Sequence, residues 1–202
     1  ARDAAAHARA YPLAETAITL FGVDAWRVEP EATARAHLLL SECAFVLGRH
    51  DEALDLLDLA ASHGRTPLER FQAMVPVTDI LTATNRLPEA IDAGLAAAAL
   101  LGVTVDRDPD ALARATEAEL AATLASLGGR RPMELLDLPP MTDPEKLAIV
   151  DLLFRLIPAV FQTDQRLFAW AILKAVRTMI EGGNAPAAPH LWVSFGITYG
   201  IV

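Results

Sequence analysis

The sequence predicts an all-α fold with no sheet, built from helix-turn-helix repeats and carrying about eight or nine helices. Apolar residues recur at three- and four-residue spacing along nearly its whole length, glycines and prolines punctuate those runs at helical intervals, and one turn sequence occurs twice. Val, Ile and Thr never cluster into an alternating apolar and polar run bounded by turn residues, so no hairpin is expected.

From Ala4 to Phe21 the apolar positions Ala10, Leu13, Ala14, Ala17, Ile18 and Phe21 share one helical face, with an interruption expected near Pro12, and Gly22 ends the run. Asp24 to Pro30 reads as a connector carrying Trp26. A helix from about Glu31 to Leu47 follows, stopped by Gly48, whose lack of a side chain suits a left-handed helix end. Asp51 and Glu52 place negative charge on the first turn of the next helix, whose Ala53, Leu54, Leu57, Ala60 and Ala61 form a stripe ending at Gly64. A second pair repeats this grammar, with one helix from Leu68 to about Thr84 and another from Ala90 to Leu101, stopped by Gly102. Aligning Gly48-Arg49-His50-Asp51-Glu52-Ala53 with Asn85-Arg86-Leu87-Pro88-Glu89-Ala90 gives an offset of 37 residues. That exceeds the roughly 34 of a tetratricopeptide unit, and the excess falls at His63 to Thr66. Ala53, Ala60, Ala90, Gly94 and Ala97 are small enough for close helix approach, and Pro76, which cannot donate within a helix, is expected to kink its own.

Asp108 before Pro109 starts a helix reaching about Leu127, and Gly128-Gly129 stops it. Pro132 to Leu136 can make one short turn. Pro139, Pro140 and Pro144 then forbid a continuous helix, and Thr142 or Asp143 starts a new one from Pro144 to about Phe161, with a bend at Pro158. Gln165 to Glu181 follows the Asp164 cap, and a last helix from Pro186 onward carries Trp192, Phe195 and Tyr199 as an aromatic stripe. The domain expectation is one continuous helical-repeat region over 1–202: a repeat half at 1–136, an ordered proline-rich joint at 137–146, and longer apolar helices at 147–202. An opening at Ala1 and a stop inside an apolar helix suggest a fragment of a longer chain.

A net charge of −9 repels phosphate backbones and anionic lipid, and no basic cluster offsets it, so neither nucleic acid nor membrane is an expected partner. Cys43 is the single cysteine, which excludes an internal disulfide and fits a reducing, cytoplasmic setting. Asp151 and Arg155 interrupt the most apolar run, as a bilayer-spanning helix would not tolerate. His7, His37, His50, His63 and His190 contain no pair at metal-binding helical spacing, and no metal or other cofactor is expected. Asp137, Asp143 and Glu145 crowd the joint, yet capping explains Asp143 and Glu145 more simply than acid and base chemistry. The segment shows no phosphate loop, glycine-rich kinase loop, phospho-accepting histidine or nucleophile with a base, so catalysis is not expected of it.

The run Leu135-Leu136-Asp137-Leu138-Pro139-Pro140-Met141-Thr142-Asp143-Pro144-Glu145-Lys146-Leu147-Ala148, with Gly183-Asn184-Ala185-Pro186 and the turn at Gly48 to Ala53, resembles the tetratricopeptide-like helical region of large bacterial multidomain signalling ATPases. In that family, Ser/Thr-kinase-like, P-loop ATPase, GAF and sensor histidine kinase domains flank such a region. The resemblance implies a right-handed superhelix that joins a nucleotide-dependent, ATP-binding portion to output domains, with protein segments or flanking domains of the same chain as partners. Ala185 departs from it where a serine is expected, and Pro189-His190 lies inside the last helix.

Stacked repeats present a groove lined by the first helix of each pair. Its candidate residues are Arg35, Glu42, Gln72 and Asp79. The alternative function is a sensor of a small-molecule effector, with an apolar pocket between the repeat half and the later helices, to which Phe161, Phe168, Trp170 and Trp192 contribute.

Overall fold

The computed structural model describes residues 2–130 and 132–199, and among these every regular element is a helix. Nine helices have twelve or more residues: α1 (Arg2–Phe21), α3 (Pro30–Val46), α4 (His50–His63), α5 (Pro67–Ala83), α6 (Leu87–Leu100), α7 (Pro109–Leu127), α9 (Pro144–Thr163), α10 (Gln165–Gly182) and α11 (Ala188–Tyr199). Two short ones, α2 (Ala25–Val28) and α8 (Pro132–Leu136), raise the count to eleven. The connector expected around Trp26 contains the α2 turn.

Two local expectations change. Helix α1 runs unbroken through Pro12, where the ring forgoes one internal hydrogen bond and the Thr16 hydroxyl donates to the Pro12 carbonyl at 2.7 Å. The last helix begins at Ala188 rather than Pro186, because Asn184 is drawn into pairing with Pro140 and Pro186-Ala187 form a turn. The expected caps are present: Asp108 accepts from Asp110 and Ala111 amides, Asp143 from Glu145 and Lys146, and Asp164 from Leu167. Helix α5 adds a reciprocal capping box between Thr66 and Glu69.

The 37-residue repeat has a physical counterpart. Helices α3 and α5 both have 17 residues and begin on a proline, and α4 and α6 both have 14. Gly48 and Asn85 occupy the same left-handed turn position, at φ 78 and 59, and the following arginines Arg49 and Arg86 match at φ −91 and −92. Each arginine then pairs with a glutamate three residues on, Glu52 or Glu89.

The chain divides into two compact units, at residues 1–85 and 86–202. In the first, α1 packs on α3, α3 on α4, and α4 on α5. Its core gathers Tyr11, Ala14, Leu40, Cys43, Ala44, Ala53, Leu57 and Ile80. In the second, α6 packs on α9, α7 on α10, and α10 on both α9 and α11. The division therefore falls inside the stretch expected to form the repeat half, since α6 and α7 bury their apolar faces against the helices that follow the prolines. Gly94 of α6 marks a close approach to α9, where even a methyl group would stand 2.6 Å from a Leu156 side-chain carbon. Thr123 and the Glu119–Arg177 ion pair fasten α7 to α10.

Candidate functional site

In the first unit, α2, α3, α4 and α5 surround an open hollow of about 350 Å³. Helix α3 contributes Glu31, Ala34, Arg35 and Leu38; α4 ends on it with Ala60 and His63; Gly64 and Arg65 form its rim; and α5 supplies Glu69, Gln72 and Ala73. Trp26 of α2 makes one wall. Its indole contacts two imidazoles, stacked on His63 at 4.4 Å between ring centres and tilted against the buried His37 at 4.8 Å. Each of these histidines has Nδ1 within 3 Å of a backbone carbonyl four residues earlier, Thr33 for His37 and Leu59 for His63. A carbonyl can only accept, so Nδ1 donates in both rings, and their Nε2 atoms remain as acceptors when neutral.

Of the residues predicted from the sequence to form a groove, the structure places Arg35 and Gln72 together in this hollow. They are repeat-equivalent, 37 positions apart. Glu42 is exposed two helical turns farther along α3, with one carboxylate oxygen 3.4 Å from His7 Nε2, and does not line the hollow. Asp79 is half-buried on α5, carries an interaction of its own, and is likewise outside the lining. Sequence reasoning missed Trp26, His63 and Arg65. The excess over an ideal repeat, which falls at His63 to Thr66, pointed to two of them, because that stretch lines the hollow.

A second polar node lies in the other unit, at the proline-rich joint. Pro139 and Pro140 bring no amide donors, so the carbonyls around them need partners from elsewhere. Asn184, in the turn between α10 and α11, supplies them: its backbone amide donates to Pro139 at 2.8 Å, and its carbonyl accepts from Met141 at 2.9 Å. Its side-chain amide donates to the Leu135 carbonyl at 2.9 Å, with the Leu136 and Leu138 carbonyls at 3.4 Å, while Oδ1 accepts from Trp192 Nε1 at 3.0 Å. The indole can only donate and the carbonyls only accept, which fixes the orientation of the amide. Gly183, at φ 105, lets the chain pass so close that a side chain there would overlap the Pro139 carbonyl oxygen. Beside this clasp, Pro144, Leu147, Ala148, Asp151 and Ala185 to Ala187 line a shallow apolar depression.

The four aromatic residues expected to line a pocket take separate roles. Phe161 is exposed and meets Phe168 edge to face at 5.4 Å. Trp170 is buried, and Trp192 is engaged by Asn184. None of them lines either hollow described above.

Among the described residues no group of three or more His, Cys, Asp or Glu side chains is placed to hold a metal, and no helix is long and apolar enough to cross a membrane. Cys43 is fully buried, and burial raises its thiol pKa, the opposite of what a nucleophile needs. Asp143, one of the three acidic residues at the joint, spends its carboxylate on the α9 cap. No family model, curated protein or solved structure matches the chain.

Proposed function

We propose that this chain is a non-catalytic helical-repeat module that binds a protein segment in the hollow of its first unit and passes that event on within a larger signalling protein. The observation that carries the reading is the meeting of Arg35 and Gln72, at equivalent positions of two successive repeats, on one concavity beside Trp26. Repeat folds recognise partners in this way, with side chains from successive first helices facing one surface. The tetratricopeptide-like arrangement, its superhelical stacking and the kinship with the helical region of bacterial signalling ATPases belong to the same proposal. They rest on the repeated turn geometry and on the wording of the proline-rich joint. In such a parent the partner is a flanking domain or a segment bound to it. The joint, held by Asn184, is then an ordered strut and not a slack linker.

Panning a random peptide library against the purified chain tests this directly. Peptides enriched on the wild type and lost on the Arg35→Glu/Gln72→Arg double variant, with the far-UV melting curve unchanged, support the reading. No enrichment, or enrichment indifferent to the double variant, overturns it. Turnover of nucleotides or esters by the isolated chain would instead require an enzyme.

A further inference from the structure

We infer that the outer face of α1 pairs with the same face of a second copy of this chain, the two helices antiparallel about a two-fold axis between Thr16 and Ala17. Helix α1 packs one side against α3 and the first-unit core through Tyr11, Ala14 and Ile18. The opposite side of such a helix is ordinarily polar, and here it is not. Leu13 and Leu20, two turns apart on that side, are 72% and 80% exposed, and the exposed Phe21 and Val23 carry apolar surface past the helix end.

The stripe points to a second copy because it is complementary to itself. Between the two leucines this face presents Thr16 and Ala17, both small enough for helices to approach closely. Reversing the face about the midpoint of that pair sets Leu13 of each copy against Leu20 of the other. The same operation carries Arg9 onto Asp24, since each lies four residues outside its leucine. Arg9 is exposed and, among the described residues, has no ion-pair or hydrogen-bond partner. Asp24 is exposed just beyond the helix end, where Arg27 takes one lone pair of each carboxylate oxygen at 3.2 and 3.4 Å and leaves the others for a second guanidinium. A two-fold contact makes each of these pairings twice from one surface patch. Antiparallel alignment also lays the positive end of each helix beside the negative end of its neighbour. The net charge of −9 opposes association of like chains, but screening over about 8 Å at physiological ionic strength leaves contacts at the face to decide.

Sedimentation velocity on the 202-residue chain, from roughly 5 to 500 μM in about 0.15 M salt, tests this. A monomer–dimer equilibrium is expected within that range. Leu13→Glu and Leu20→Glu, at positions already in solvent, are each expected to raise the dimer dissociation constant at least about tenfold, with the melting curve of the dilute monomer unchanged. Arg9→Glu is expected to raise it about tenfold, and the Arg9→Glu/Asp24→Arg exchange to return it to within about threefold of the wild type. A chain that stays monomeric throughout overturns the inference, as does a dimer indifferent to both leucine variants. A dimer lost in the leucine variants but not recovered by the charge exchange overturns the antiparallel pairing.

Discussion

Replacing Asn184 with alanine removes four side-chain contacts from the joint, of which two are short: the donation to Leu135 at 2.9 Å and the acceptance from Trp192 at 3.0 Å. The backbone pairing with Pro139 and Met141 survives, because it does not use the side chain. Each lost bond is worth about 1 kcal/mol net, and leaving the carbonyl of a buried residue such as Leu135 without a donor adds about another 1 kcal/mol. The expected cost is therefore about 2–3 kcal/mol, taken from the second unit alone. The three tryptophans are Trp26, Trp170 and Trp192, so a Trp26→Phe background confines the emission to that unit. With a urea slope of about 2–3 kcal/mol/M, the unfolding midpoint should fall by about 1 M. Asn184→Asp keeps an acceptor for Trp192 but turns carboxylate charge onto the Leu135, Leu136 and Leu138 carbonyls, and should be at least as damaging. A loss below about 0.5 kcal/mol for the alanine variant would refute the clasp.

Gly183→Ala should destabilise the same unit by about 2 kcal/mol or more, since it combines a left-handed backbone with overlap on the Pro139 carbonyl; the same urea titration reads it. Gly94→Ala pushes a methyl group into the buried Leu156 side chain, and overpacking of about 1–3 kcal/mol is expected, with Leu156→Val restoring part of it. Tyr11 donates to Glu52, and that hydrogen bond, followed by burial, raises its pKa above the usual phenol value. A raised folded-state pKa gives stability that is complete below pH 10 and lost as pH climbs through the folded value. Denaturation midpoints of the first unit should therefore fall above pH 10, more steeply in the wild type than in Tyr11→Phe.

Much of this fold was legible because its signals are local. Apolar spacing and caps are decided within one or two turns, so Asp108, Asp143 and Asp164 could be assigned from neighbours in sequence. The recurrence of Gly48 and Asn85 at left-handed turns was readable for the same reason. What escaped was non-local. Gly94 was recognisable as a close-approach residue, but its partner, Leu156, lies 62 positions away, and so the packing of α6 on α9 could not be read from neighbours in sequence. Asn184 sits in a stretch that reads as a spacer after two glycines; its role follows from donors that prolines lack 44 residues earlier.

The candidate site divides along the same line. Arg35 and Gln72 were legible as positions on the first helix of each pair that packing does not need, and those two share the hollow. Glu42 and Asp79, one heptad on, obey the same register and lie outside it. Trp26 arrives from a four-residue helix too short to carry periodicity, so nothing in its own segment announced that it would form a wall.

Amide hydrogen exchange on the 202-residue chain, with and without a peptide enriched by the library selection, addresses recognition at the hollow most directly. Slowed exchange confined to 30–38 and 63–73, absent in Arg35→Glu, is the expected result. Protection confined to the second unit, or unchanged exchange at saturating peptide, would contradict it.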